Sequence, residues 1–139
     1  MMQVADEPKV VVTQRWCWIG NHDSAYLDKL TNELADLRPR LGENSTIEVS
    51  LIHVESSAKL HKIIAKTRAD FFVWSIPEEG IADRLMEVNA CRQLHWNSRH
   101  IAAGIASPSE RRLMMEAGCC WHVEQPHQWR TCLLAFCGT

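Results

Sequence analysis

The stretch "ADFFVWSIPEEG", residues 69–80, decides the fold. Asp70 opens an apolar run that Ser75 alone interrupts, and Pro77 to Gly80 turn the chain. A short run without polar alternation is that of a strand covered on both faces. Strands of that kind belong to parallel sheets, whose helical crossovers shield both sides. Outward from this run, the chain should alternate short apolar strands with amphipathic helices.

It does so in both directions. Upstream, "VVV" (10–12) and "WCWIG" (16–20) form a first strand, singly or as one long strand, with Trp16 and Trp18 on one side and Cys17 on the other. Asp23 or Ser24 caps a helix whose Leu27, Leu30, Leu34, Leu37 and Leu41 recur at spacings of three and four. Pro39 disturbs its last turn and Gly42 ends it. "IEVSLIHV" (47–54) is β-branched and alternating, hence a second strand. Ser56 or Ser57 then caps a helix carrying Leu60, Ile63 and Ile64 on one face. Downstream, Ile81, Leu85, Val88 and Met86 carry a third helix to about residue 96. "HIAAGIA" (100–106) is a fourth strand. In "SPSE" (107–110), Ser107 is an N-cap, Pro108 suits the first helical position and Glu110 completes a capping box. Leu113, Met114 and Ala117 follow, and Gly118 ends that helix. "CWHVE" (120–124) is a short fifth strand, and Trp129, Cys132, Leu133 and Phe136 line a closing helix.

Repeated β-α units with right-handed crossovers give a doubly wound α/β sandwich around a parallel sheet. Ligands and chemistry in such folds sit at the carboxyl ends of the strands. The residues expected there are Gly20, Asn21, His22 and Asp23, with Glu55, Ser75, Ala106, Ser107 and Gln125.

At these positions the chain, from about residue 16 to 137, resembles a response-regulator receiver (CheY-like) domain. The resemblance rests on "ADFFVWSIPEEG" and on "EAGCCWHVEQP" (116–126). Asp70 opens the third strand as in that family, and Pro77 and Gly80 mark the next loop, which is shortened. Ala117, Gly118 and Pro126 match the helix end and the Lys-Pro loop, whose peptide bond is usually cis. The resemblance implies a flavodoxin-like three-layer sandwich with a five-stranded parallel sheet in the order 2-1-3-4-5. It spans one domain, with residues 1–15 an N-terminal extension or part of a long first strand.

The switch residues of the family are replaced. Ser75 stands where the phosphate-accepting Asp would be, and Gln125 where the Lys would be. Gly20-Asn21-His22, with Asp23 near by, stands where an acidic pair would hold Mg²⁺. Ser107 could supply the family's hydroxyl, but it is better explained as a helix cap. Phosphorylation needs a carboxylate nucleophile, a metal to offset charge and a cation to hold the product. Mg²⁺ wants oxygen ligands, which Gly20, Asn21 and His22 supply poorly. The resemblance therefore implies a pseudo-receiver, a phosphorylation-independent signalling or regulatory module without enzymatic activity or cofactor. Its partner would be a signalling kinase, another regulator or a second copy. The family's usual docking face implies that Trp121, His122 and Trp129 lie near the contact surface.

Composition sets the outer limits. A chain of 139 residues is long enough for one core, and 46% hydrophobic with 23% charged residues is ordinary for a globular protein. Lys plus Arg number 15 and Asp plus Glu 17, so no general attraction to nucleic acid or anionic membrane is expected. No helix-turn-helix remains for direct DNA binding. No apolar run approaches the ~20 residues of a membrane helix, and "MMQVADEPKV" (1–10) lacks a secretory pattern, so a cytoplasmic location with reduced thiols is expected.

Sharper chemistry finds little support. Cys119, Cys120, His122, His127, Cys132 and Cys137 cluster in sequence, yet no cysteines form a C-x-x-C pair. Cys132 and Cys137 would lie about 140° apart around a helix. His22, Asp23, His53 and Glu55 come from two adjacent strand ends, where a helix cap and loop polar residues account for them. Ser75 lacks a G-x-S-x-G elbow, and no G-x-G-x-x-G follows the first strand. A flavin would need a phosphate cradle that is not visible. The remaining alternative to a docking module is a small ligand- or metal-binding protein, or an enzyme, using the pocket at His22, Asp23, Glu55 and Ser75.

Overall fold

In the computed structural model, residues 13–37, 46–52 and 57–137 are described. Strand β1 (Thr13–Ile19) sets the layers. Trp16 and Trp18 point to one side and Cys17 and Ile19 to the other, and all four are buried. A strand buried on both faces must lie inside a sheet that helices cover twice.

The elements that follow are α1 (Ala25–Leu37), β2 (Thr46–Ile52), α2 (Ser57–Lys66), β3 (Phe71–Ser75), α3 (Ile81–Leu94), β4 (Arg99–Ala103), α4 (Pro108–Ala117), β5 (Trp121–Val123) and α5 (Trp129–Cys137). A 3-10 turn, Pro126–Gln128, leads into α5. All strand pairs are parallel, and the order is β2-β1-β3-β4-β5. This is the flavodoxin-like three-layer architecture expected from the alternation of elements.

On one face, Leu27, Leu30, Leu34 and Leu37 of α1 and Trp129, Cys132 and Leu133 of α5 pack on Trp16, Trp18, Phe71, Val73 and Ile101. Trp16 stacks on Phe71 with ring centroids 4.0 Å apart and meets Trp129 edge-on at 6.4 Å. On the other face, Leu60 and Ile64 of α2, Val88 and Cys91 of α3 and Met114 of α4 cover Cys17, Ile19, Phe72, Trp74 and Ala102.

Asp70 explains why the third strand opens on an acid. The backbone N–H of Arg15 donates to Asp70 Oδ2 at 2.8 Å, the N–H of Asp70 to the Arg15 carbonyl at 2.9 Å, and the N–H of Arg99 to the Asp70 carbonyl at 2.9 Å. One residue thus fixes the starts of three strands.

Some boundaries differ from the sequence reading. The described part of β1 begins at Thr13 and that of β2 at Thr46. Val10 to Val12, the helix stop at Pro39 and Gly42, Leu41, His53, Val54 and the cap candidate Ser56 lie outside the described residues. α3 ends at Leu94, because His95 leaves helical geometry while its N–H still donates to the Cys91 carbonyl. Ile63, Met86 and Leu113 are exposed, so the buried stripes are narrower than the hydrophobic pattern. The Gln125–Pro126 bond is not cis, since no described peptide bond is. Among the described residues no helix is long and apolar enough to cross a membrane.

Candidate functional site

The carboxyl ends of β1, β3 and β4 meet at Ser75. Gly20 leaves β1 with φ near +151°, and its backbone lies directly against Ser75. A Cβ at residue 20 would stand 2.4 Å from Ser75 Cβ and 3.1 Å from its Oγ. Only glycine permits that approach. The loop then folds on itself. Trp18 Nε1 donates to the Asn21 carbonyl at 3.1 Å, and the Asn21 side chain accepts from the Asp23 N–H at 3.0 Å. Ser24, rather than Asp23, caps α1: its Oγ accepts from the Tyr26 N–H at 3.2 Å. His22 and Asp23 are exposed on the loop.

The β4 end is equally occupied. The N–H of Gly104 donates to the Val123 carbonyl at 3.0 Å, and Gly104 O is 2.6 Å from His122 Nε2. Ser107 Oγ accepts from the Glu110 N–H at 3.2 Å, while Glu110 Oε1 accepts from the Ser107 N–H at 3.0 Å. The capping box read from "SPSE" is therefore formed, and it engages the Ser107 hydroxyl. These bonds hold the Glu110 carboxyl below the usual carboxylate range. Gln125 opens the 3-10 turn: its N–H donates to Gln128 Oε1 at 2.9 Å, and its carbonyl accepts from the Gln128 N–H at 3.0 Å.

A shallow concavity of about 240 Å³ remains, lined by Ser24, Tyr26, Ser75, Ile76, Pro77, Glu78, Ala103, Gly104 and Ile105. Of the residues expected at this site, Ser75 lines it. Asn21, His22, Asp23, Ser107 and Gln125 do not, and Glu55 lies outside the described residues. The lining holds one carboxylate, Glu78, and no lysine, arginine or histidine. Among the described residues no three His, Cys, Asp or Glu side chains converge on a metal position. Gly20 has no side chain, and the Asn21 and Ser107 oxygens are committed to local backbone bonds. This donor set does not fit the Mg²⁺ that a phosphorylatable receiver holds.

Tyr26 is a site residue that the sequence reading missed. Its hydroxyl donates to the Glu124 carbonyl and so ties the first turn of α1, which lines the concavity, to the residue after β5. Burial raises its pKa, and the Glu124 charge adds to the rise. The signal was present: the chain's one tyrosine follows the Ser24 cap by two residues, beside a strand end.

A second concavity, about 330 Å³, lies on the face of α4, β5 and α5. Arg111, Met115, Cys120, Trp121, His122, Gln128 and Thr131 line it. Trp121 and His122 are half-buried there. Trp121 rests on Phe136 with centroids 5.4 Å apart. Trp129 has no exposed surface, which corrects any role for it in direct contact. It is a core ring that supports this face from beneath, because its position on α5 faces Trp16 and the sheet.

No protein-family profile and no curated protein matches this chain. Solved structures do. A CheY-like protein (tadZ) from Pseudomonas aeruginosa PAO1 is 18% identical, with a TM-score of 0.65 over 88% of this chain and 97% of that one. A CheY-like receiver domain protein from Methanospirillum hungatei JF-1 is 17% identical, with a TM-score of 0.61 over 88% and 90%. A response regulator from Burkholderia pseudomallei, solved with a phosphorylated aspartic acid, is 14% identical, with a TM-score of 0.60 over 88% of this chain. The present chain spans 65% of that regulator's length. With strand order, helix placement and these likenesses in agreement, the chain has the fold of the CheY-like response-regulator receiver domain.

Proposed function

We propose that this chain is a pseudo-receiver: one receiver-like unit that works as a signalling or regulatory protein-interaction module without being phosphorylated. The observation that carries the reading is the Gly20–Ser75 contact. Any side chain at residue 20, an acid included, would collide with Ser75 at its first carbon. Ser75 offers no carboxylate, and its concavity presents Glu78 with no cation to offset an incoming phosphoryl group. A serine hydroxyl without an adjacent base is a weak nucleophile near neutral pH. The module is not an enzyme on this reading, and its docking is constitutive.

The docking face is that of α4, β5 and α5, where Arg111, Trp121 and His122 surround the larger concavity. An aromatic ring and an arginine at the centre of a concave patch are the usual anchors of a protein contact. The occupant is a protein partner, a signalling kinase or another regulator, with a second copy as the other candidate. The concavity at Ser75 is smaller than the ~300 Å³ at which small-molecule pockets usually begin, so a ligand-binding role is the weaker reading.

Two measurements test this. Intact-mass analysis after incubation with acetyl phosphate and Mg²⁺ should show the unmodified chain, and stoichiometric uptake of phosphate would sink the reading. Tagged protein captured with a partner should lose that partner on Arg111→Glu, with the melting temperature little changed, and on Trp121→Glu, which also removes the Phe136 contact and lowers the melting temperature. Capture that survives both substitutions would move docking to another face.

A further inference from the structure

The two edges of the sheet differ. β5 is three residues long and offers little template for pairing. β2 is seven residues long, pairs only with β1, and among the described residues no strand covers its outer edge. Natural edge strands are usually blunted by lysine, proline, a bulge or shortness. β2, "TIEVSLI", has none of these residues, and its register with β1 runs unbroken from Thr13↔Thr46 to Ile19↔Ile52. Its single charge, Glu48, is paired with Arg15 of β1 at 3.4 Å.

The apolar side of β2 is also incompletely covered. Ile47 and Val49 sit half-buried against the α1 layer, and Leu51 on the same side is 47% exposed. On the opposite side Glu48 and Ser50 are exposed. We propose that β2 pairs edge-to-edge with β2 of a second copy of this chain, antiparallel about a two-fold axis at Val49. The two five-stranded sheets would then become one continuous sheet.

The sequence of β2 selects both the occupant and the register. Centred on Val49, the pairing sets Ile47 opposite Leu51 and Val49 opposite itself on the α1 side, and Glu48 opposite Ser50 on the other. On the α1 side every apolar residue then meets an apolar one, Ile52 meets Thr46 at the strand ends, and no like charges face each other. Centring on Glu48 would oppose two carboxylates, which is unfavourable. Centring on Ser50 would put Glu48 against Ile52. A slip by one residue would place the apolar set of one copy against the polar set of the other. A strand that is self-complementary under a two-fold axis fits an isologous contact with its own copy.

Sedimentation velocity of the full chain over a wide concentration range tests the proposal. Wild type should show a concentration-dependent monomer–dimer equilibrium. Ser50→Glu places a carboxylate opposite Glu48 of the partner subunit and should weaken the dimer. Ser50→Lys places an ammonium there and should tighten it. Each pair occurs twice by symmetry, so the dissociation constant should move about several-fold in opposite directions. Ser50 is exposed, and unchanged melting curves would show that both variants fold. Three results would overturn the proposal: a monomer at every concentration, a dimer indifferent to both substitutions, or a dimer that shifts in the same sense with both. A dimer lost on Trp121→Glu but indifferent at residue 50 would assign self-association to the α4–β5–α5 face instead.

Discussion

Trp74 Nε1 donates to Nδ1 of His100 at 3.1 Å, inside the core beneath α3. That bond requires an unprotonated Nδ1, so the imidazole is neutral with its proton on Nε2, directed at the His95 carbonyl 3.4 Å away. Phe72 stacks on the same ring with centroids 5.3 Å apart, and His100 is almost fully buried.

Stability should therefore fall in acid. Burial pushes the His100 pKa down, the bond to the His95 carbonyl opposes this, and the charges of His95 and Arg92 lower it further. The unfolded chain takes up this proton near pH 6.5 and the folded chain only at lower pH. Below about pH 6.5 the unfolded state binds more protons, so the stabilisation present at neutral pH is progressively lost as pH falls. Urea unfolding from pH 7.5 to 5 should show the decline, and His100→Phe should flatten it. A pH-independent midpoint in wild type would contradict the neutral-imidazole assignment. Trp74→Phe leaves the buried Nδ1 without its donor and should cost about 1–3 kcal/mol at neutral pH.

Placing an acid at the end of β1 should not create a switch. Gly20→Asp needs a Cβ where Ser75 Cβ already stands 2.4 Å away, at a φ that side chains rarely adopt. Backbone strain of about 1–3 kcal/mol is expected, together with displacement of the β1–α1 loop. Ser75→Asp supplies a nucleophile but neither metal ligands nor a cation. Denaturant midpoints should drop for Gly20→Asp, and acetyl phosphate should leave both variants unmodified. Phosphate uptake by Ser75→Asp alone would show that the remaining donor set suffices for a metal after all.

The Ser107 hydroxyl belongs to the helix rather than to the pocket. Its removal in Ser107→Ala opens the capping box at the start of α4 and should cost about 1 kcal/mol. Partner capture by the folded variant should be unchanged. Ser107→Asp keeps an acceptor at the cap and should recover most of the loss. A Ser107→Ala variant that is fully stable but fails to bind would return this hydroxyl to the functional site.

The fold was legible because its strongest signals are local. The two-sided apolar run at Phe71–Trp74, the leucine stripe of α1 and the Ser107–Glu110 box each depend on residues a few positions apart. For the site, order along the chain supports only the proposal that Ser75 stands where a receiver carries its acceptor acid. That Ser75 ends the third strand can be read from that order. That Gly20 closes on it cannot, because the contact joins residues 55 apart in sequence through the register of β1 with β3. Trp129 misled for a related reason. Its place on the last helix is visible in the sequence, whereas its burial depends on the rotation of α5 toward Trp16. Tyr26 and the Trp74–His100 bond likewise join elements that composition cannot bring together.

Cysteine chemistry offers a footprint of the proposed docking face. Cys17, Cys91 and Cys119 are buried free thiols, and burial pushes each up to about 12. Almost no thiolate is present at these three near neutral pH, and reagents cannot reach them. Cys120, next in sequence to Cys119, is exposed and lines the concavity with Trp121 and His122. A maleimide pulse on the native protein, followed by peptide mapping, should label Cys120 and leave Cys17, Cys91 and Cys119 until the chain is unfolded. A bound partner on the α4–β5–α5 face should protect Cys120, and a bulky adduct placed there first should block capture. Labelling of Cys120 that is indifferent to a saturating partner would place docking elsewhere on the surface.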